Sequence, residues 1–510
     1  MPTLSPPLWR RTFKRVTFVS SLSLTSALLG YYSYDPGFRR EVEFWRQVSP
    51  IAFRYLIYTV RGLDLSPLHG RYSPRARDIC EQLGGLYIKM GQVLSVRPEI
   101  LPEAYRLEFA KLQDTAPPAS FDEVIKPVLE ESLGHSVSDL FSYVDPVPLG
   151  SASIGQAHAA TLLDGREVVL KVQYPDAKAR FKVDLHCLST LANWMTPAFS
   201  QIMEEFEIQF LTEFDYHNEA RNITEIRREV LDATDQWRGL VNLPEVIPEY
   251  TTDRVLCMTL VPGEKLETVI RKDWQRRGVD IGPDFKEWLR TQQRHRQEID
   301  TRLRSAASCW LLLLPAWAIR AGLWVWRAWS PSHSDMSSFI STAVRVHGYE
   351  LFACTLFNGD PHPGNLLVDL NTGKVGLIDY GQCKRMDDKT RLKLARLVVA
   401  VADGVPQEEA KAMVEAGIRT ARKDERYLSI IARLLFGRIE PYMLDPQFHL
   451  DLHKSDQIES LPGDTLMGYR VAMLLRGLAL ATRHSISVAE LWKDEAQKCI
   501  ERGGRTVFNT

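Results

Sequence analysis

Apolar residues recur at helical spacing over Arg39–Val60, Asp78–Leu94, Glu103–Leu112 and Phe121–Leu133, so residues 35–145 are expected to be mostly helical. The period changes after Val147. Ala157–Leu163 and Glu167–Gln173 read as two strands joined at Asp164-Gly165, a dipeptide suited to a tight turn with positive φ at both positions. Helices are expected over Phe181–Met195 and Gln201–Val230, and a strand over Val255–Leu260, closed by Pro262-Gly263. A charged helix, Asp284–Arg304, precedes a Trp-rich stretch. Ser337–Phe357 reads as helix, Leu366–Asp369 and Lys374–Ile378 as a second hairpin, and everything from Asp387 onward as helix. A small β-containing unit followed by a larger helical one predicts an α+β fold of two lobes with a cleft between them.

Composition narrows the classes. The 510 residues allow about three units of ordinary size. Apolar content of 45% and charged content of 25% exclude a largely disordered chain and a polytopic membrane protein. Lysine plus arginine number 63 against 64 acidic residues, so the basic excess of a nucleic-acid-binding protein is missing and no nucleic-acid partner is expected. The seven cysteines form no CxxC pair and read as free thiols.

Two apolar stretches raise the question of a membrane. Residues 1–34 contain Arg10, Arg11, Lys14 and Arg15, many Ser and Thr, and no acid before Asp35, the composition of a mitochondrial presequence, with a secretory signal as the rival. Val16–Tyr34 is long enough to span a bilayer, or else is cleaved with the presequence. Ala306–Trp329 carries five tryptophans and is broken by Pro315 and Arg320. A single span there would separate two halves of one domain, so a helix or hairpin lying on a membrane or packed on the protein is expected.

The strongest chemical signal is Asp360-Pro-His-Pro-Gly-Asn365 followed by Ile378-Asp379-Tyr380-Gly381. Phosphoryl transfer needs metal ions on the phosphates and a group that orients the acceptor. D-x-x-x-x-N supplies a base and an amide oxygen on one loop; an Asp-aromatic-Gly after a short hairpin supplies a second metal carboxylate. Lys171, in Val168-Val-Leu-Lys171, stands where a strand lysine would meet phosphate. Glu213 and Glu219 compete for the role of its helix partner, and spacing alone does not choose. The phosphate loop lacks the G-x-G-x-x-G triplet and reads Pro148-Leu-Gly-Ser-Ala-Ser-Ile-Gly-Gln-Ala-His158. No Ala-Pro-Glu follows Gly381, and a helix is expected within ten residues, so a peptide-substrate platform is not expected.

With these motifs the chain resembles the UbiB family of AarF-domain-containing atypical kinases, over roughly residues 70–400, and in its N-terminal layout most the mitochondrial member concerned with lipid homeostasis. Lys89-x-Gly-Gln92 matches the family's KxGQ motif, Ser151-Ala-Ser-Ile-Gly-Gln156 its nucleotide loop and Glu213-x-Asp215 its ExD motif. The resemblance implies a two-lobed kinase-like fold. It divides the chain into a presequence (1–34), a helical extension (35–145), an N-lobe (146–263) and a C-lobe (264–510) with an insertion at about 270–334. It further implies ATP and Mg2+ as cofactors and Asp360 and Lys171 as catalytic residues. Asn365 and Asp379 would be metal ligands. Ser151, Ala152, Ser153, Ile154, Gly155, Gln156, Lys171, Glu219 and Met258 would contact nucleotide, with Glu219 as the lysine's partner. Lys89, Gln92, Glu213 and Asp215 would be regulatory. Implied partners are mitochondrial membrane lipids, a small-molecule or lipid substrate, and membrane proteins, at the inner membrane with the body facing the intermembrane space. The rival is a catalytically weak ATP-binding scaffold. Three departures from the family stand out: Gly150 and Ser151 replace alanines, Asn358 occupies the place of the usual His before the catalytic Asp, and the insertion has no counterpart.

Overall fold

The computed structural model describes residues 32–95, 101–112, 118–195, 207, 210–276, 336–444, 446–460, 462–481 and 485–508. The presequence, nearly all of Val16–Tyr34, the helix expected over Asp284–Arg304 and the Trp-rich stretch lie outside them. No helix among the described residues is long and apolar enough to cross a membrane. The chain divides into two compact units, one formed by residues 1–216 and 248–257, the other by 217–247 and 258–510.

The first unit opens with helix α1 (Pro36–Val60). Asp35 caps it, its Oδ1 accepting from the amides of Gly37 and Phe38 at 2.8 and 3.3 Å. Helices α2 (Ser66–Leu83) and α3 (Leu86–Ser95) follow. The single helix expected over Asp78–Leu94 is in fact broken, because Gly84 and Gly85 both take positive φ (65° and 55°) and end α2. Phe44, Ile79, Leu83, Tyr87 and Cys187 form one apolar cluster. Met90, Leu94, Phe109, Phe181 and Phe214 belong to a second, which joins α3 to the helix Ala177–Met195.

Its sheet is antiparallel where registers are defined. Strand β1 (Phe141–Val144) pairs with β3 (Gly155–Leu162), β3 pairs with β4 (Glu167–Gln173), and the strand Val255–Thr259 lies beyond β4; the short β2 (Gly150–Ser151) also pairs with β3. The β3–β4 register sets Ala157 opposite Lys171. The connecting turn differs from expectation. Only Gly165 has positive φ (88°), and the Gly165 amide donates to the Leu162 carbonyl at 3.0 Å. Gly165 alone takes the left-handed position, and Asp164 instead accepts from the Arg166 amide at 3.0 Å.

In the second unit the short strands Val241–Asn242, Val375–Leu377, Leu366–Val368 and Glu264–Lys265 form a four-stranded sheet in that order. The helix expected over Ser337–Phe357 stops at Ala353, and Leu356–Asn358 becomes a strand paired with Cys383–Arg385. The C-terminal part is not wholly helical either, since Arg419–Thr420 pairs with Ile458–Ser460. The helices Met336–Ala353, Asp388–Asp403, Glu425–Phe436, Gly463–Ala481 and Val488–Glu501 share one large core, including Leu351, Leu394, Phe436, Tyr469 and Trp492. Trp492 donates its indole N–H to the Val344 carbonyl at 2.6 Å. A Cβ on Gly348 would stand 2.4 Å from that indole, so glycine there sets the helix spacing. Buried Arg391 donates to the carbonyls of Leu351, Met386 and Gly504, tying the chain terminus to this core.

Candidate functional site

The two strongest motifs lie together in the second unit. The strand Leu356–Asn358 delivers Asp360, and the turn Pro363–Asn365 follows, capped by His362, whose Nδ1 accepts from the Gly364 amide at 3.1 Å. Leu366 then pairs with Leu377 in antiparallel register, and the Ile378 amide donates to the Asn365 carbonyl at 3.2 Å. Asn365 is therefore opposite Ile378 and one residue from Asp379. The hairpin converts a separation of fourteen residues in sequence into neighbouring positions.

Asn358 locks these loops to each other. Its side chain Nδ2 donates to the Asp379 carbonyl at 2.9 Å, while Oδ1 accepts from the Asp360 amide at 2.9 Å. Its backbone amide donates to Glu350 Oε2 at 3.1 Å, and the Tyr380 hydroxyl donates to Glu350 Oε1 at 3.2 Å. Glu350 is fully buried, and desolvation pushes its carboxyl above the usual range. Asn222, from the helix Tyr216–Arg227, donates to the Tyr380 carbonyl at 2.9 Å. That helix also carries Glu219, which is buried. A Cβ on Gly381 would stand 3.5 Å from Asp379 Oδ1 and 3.8 Å from Glu219 Oε2, so the glycine leaves space at the edge of two carboxylates. Asp379 Oδ1 accepts from the Gly381 amide at 3.1 Å. Asp360 meets a partner that its motif does not contain: Arg470, on the helix Gly463–Ala481, donates to Asp360 Oδ1 at 3.0 Å. Met258, also in this unit, is buried and bridges to Val246.

The first unit carries the loop, the strand lysine and the Lys89 helix. The Ala152 amide donates to the Gly155 carbonyl at 2.8 Å, closing a tight turn around Ser153 and Ile154. A Cβ on Gly155 would stand 2.2 Å from the Val172 carbonyl, so only glycine permits this approach to β4. Lys171 is half-buried on β4. The loop's side chains are spent on its own support. Ser151 donates to the Tyr174 hydroxyl at 2.7 Å, and Tyr174 donates on to Gln156 Oε1 at 3.0 Å. The Ala119 amide also donates to Oε1, at 2.9 Å, which fixes the amide's orientation; Gln156 Nε2 then donates to the Ala119 carbonyl and to His158 Nε2 at 2.8 Å. The Asp145 carbonyl can only accept, so His158 Nδ1 carries the proton donated to it at 2.7 Å.

Lys89 Nζ donates to Glu213 Oε2 at 3.1 Å and lies 4.8 Å over the Phe210 ring. Both ends of the pair are largely buried, with side-chain exposures of 22% and 14%. Glu213 lies in the turn Thr212–Phe214, which Asp215 ends in an exposed position. Of the two glutamates that spacing left open, Glu213 thus pairs with Lys89, and Glu219 borders Asp379 and Gly381. The rest of the Lys89 motif holds the following segment, at Leu112, in place. Gln92 Nε2 donates to the Leu112 carbonyl at 3.2 Å, and a Cβ on Gly91 would stand 2.3 Å from a Leu112 methyl. A cavity of about 170 Å³ lies between Lys89 and Ser153–Ile154, walled by Phe181, Phe210 and Phe214.

Sequence reasoning missed Glu350, Arg470, Asn222 and Tyr174, and the hydrogen bonds by which Gln156 and His158 support the loop. None of these four residues has a motif, and only the tertiary contact identifies it.

A model of the ABC1 atypical kinase-like domain matches residues 111–305 and 327–414, more than half of the chain, and the protein belongs to that family. The match breaks inside the Trp-rich stretch. An uncharacterized chloroplastic aarF domain-containing protein kinase from Arabidopsis thaliana is 28% identical over 385 residues, 74% of this chain and 59% of that protein. AarF domain-containing protein kinase 1 of Xenopus tropicalis is 27% identical over 406 residues, 75% of this chain and 66% of that protein. A probable protein kinase UbiB of Cellvibrio japonicus is 37% identical over 199 residues, 37% of this chain and 35% of that protein. The chain spans less than two thirds of the length of these relatives. The fold is the α+β kinase-like one that membership implies.

His158 generates a pH prediction. Desolvation by burial pushes its imidazole below the ordinary value, and with Nε2 already accepting from Gln156 a second ring proton would face a donor. The unfolded chain binds that proton more readily, so stability falls as pH drops through about 6.5 toward the lowered folded value. Urea midpoints measured from pH 8 to pH 5 should decline, and His158→Gln should flatten that slope. An unchanged slope in the variant would assign the acid sensitivity to other groups.

Proposed function

We propose that the protein is an ATP-binding, Mg2+-dependent atypical kinase or ATPase of the UbiB type, acting on a small-molecule or lipid acceptor. One observation carries this reading: Asp360, Asn365 and Asp379 are brought to neighbouring positions on two loops clamped by Asn358. Asn365 and Asp379 offer hard oxygen donors at neighbouring ends of two paired strands, the ligand type that suits Mg2+, and Gly381 keeps side-chain bulk away from the carboxylate. Bound there, the metal would neutralise phosphate charge. Asp360 orients the acceptor hydroxyl and takes its proton. Lys171 meets phosphate. In the nucleotide loop, the side chains of Ser151 and Gln156 are engaged beneath it, so contact with nucleotide falls to backbone amides and to the tip at Ala152–Ile154.

We assign the Lys89–Glu213 pair a restraining role at the nucleotide site, with Gln92 and Asp215 supporting the segments on either side. Partners are mitochondrial membrane lipids and membrane proteins, and the N-terminal composition supports placement at the inner membrane with the body in the intermembrane space. The same composition and layout support the lipid-homeostasis member of the family.

Asp379→Asn is expected to abolish Mg2+-dependent nucleotide binding while leaving the thermal midpoint near that of the parent, since an amide cannot supply the lost charge. Isothermal titration of ATP with and without Mg2+ decides it; parent-like Mg2+-dependent affinity sinks the assignment. Lys89→Ala should change nucleotide turnover or product, for example toward autophosphorylation, beyond any loss of stability; the break of a largely buried pair should be felt more than that of a surface pair, worth roughly 0–1 kcal/mol. Identical turnover, affinity and product would reduce Lys89 to a packing role. Protease added to mitochondria with ruptured outer membranes should digest the body, whereas protection would place it in the matrix.

A further inference from the structure

The helix Gly463–Ala481 was not part of any motif, yet it reaches the catalytic loop at two points one turn apart. A Cβ on Gly359 would stand 2.7 Å from Met467 Cε, and Arg470 Nη2 donates to Asp360 Oδ1 at 3.0 Å. The helix itself is fixed, because Tyr469, Val471, Ala472 and Leu475 are buried in the core of the unit. Arg470 therefore projects from a rigid support. Its guanidinium has five N–H donors, and its single hydrogen bond among the described residues uses one of them. The pair is open to solvent, with side-chain exposures of 32% and 26%. A second cation flanks the same loop: the stem of Lys384, an exposed residue, comes within 4.0 Å of the Cβ position of Gly359. Arg470 thus borders the residue that would receive the acceptor's hydroxyl, and the Lys384 stem flanks the glycine before it.

We propose that Arg470, with Lys384, reads the acceptor: it holds Asp360 between turnovers and then takes an anionic group, phosphate or carboxylate, carried by the acceptor beside its reacting hydroxyl. The inference rests on the kinase reading above and narrows it to anionic alcohols. A guanidinium binds carboxylate and phosphate through the same fork, so an incoming anion replaces Asp360 without loss of pairing. Asp360 is released as the hydroxyl arrives. The acceptor oxygen then forms its bond to the γ-phosphorus as the bond from that phosphorus to the β,γ-bridging oxygen breaks; the hydroxyl proton passes to Asp360, and ADP leaves.

The test uses the full chain loaded with Mg2+ and ATP. Two matched pairs of probes separate a soluble source from a lipid one: glycerol against glycerol 3-phosphate, and phosphatidylcholine vesicles without and with phosphatidylglycerol. Binding is measured by titration and phosphoryl transfer by label. At least one anionic probe should bind more tightly than its neutral counterpart. Arg470→Gln and Lys384→Gln should each weaken that binding at least about tenfold, the effect of losing one charge-assisted hydrogen bond. Arg470→Lys should recover part of it. Anionic probes that bind no better than neutral ones, or variants that bind them as the parent does, overturn the proposal. The Asp379→Asn variant separates the two readings: if parent turnover depends on Asp379 while anion preference is missing, only the acceptor proposal fails.

Discussion

The site depends on the side chain of one buried asparagine. Asn358 offers a donor and an acceptor from the same planar group, and it spends them on different loops, the Asp379 carbonyl and the Asp360 amide. Its own amide is anchored on Glu350, which also receives the Tyr380 hydroxyl. Removing the side-chain amide loses both part-buried hydrogen bonds, at about 0.5–1.5 kcal/mol each. The cost of carrying Glu350 in the core is met because burial raises its proton affinity while two donors satisfy its oxygens. Where the family usually carries a histidine, the Asn358 amide joins both loops.

Glycines set how closely the backbone segments approach. Gly155 lets the loop at Ser151–Gln156 turn against β4, and Gly359 lets the loop at Asp360 lie under Met467 and the Gln382 carbonyl. The missing glycine triplet is offset by the hydrogen-bond chain from Ser151 through Tyr174 and Gln156 to His158 and Ala119. A loop whose Ser151 and Gln156 side chains are engaged below it is stiffened without needing positive φ along its length. The Lys89 helix follows the same economy. Its lysine faces Glu213, while its glycine and glutamine receive the segment at Leu112.

Short-range signals gave the strands Glu167–Gln173 and Val375–Leu377 to within a residue, because alternation and turn residues act over a few positions. They failed where local and tertiary preferences conflict. Apolar spacing continues across Gly84-Gly85, but two left-handed residues end the helix. Apolar spacing likewise carries on past Ala353, yet Leu356–Asn358 finds a pairing partner in Cys383–Arg385 and becomes a strand.

The sequence by itself determined which residues could do phosphoryl chemistry, since Asp360, Asn365 and Asp379 are recognisable by type and spacing in two short motifs. It also determined family membership, which those motifs carry. Only the tertiary structure showed that Glu213 faces Lys89 and that Glu219 lies beside Gly381. It alone brought Glu350, Asn222 and Arg470 to the motif loops, from 8, 158 and 110 residues away. The physical reason is range. A motif is set by chain geometry over a few residues, whereas the partner of a buried or charged group is set by whichever packed element places a complementary atom within about 3 Å, and no sequence spacing encodes that distance.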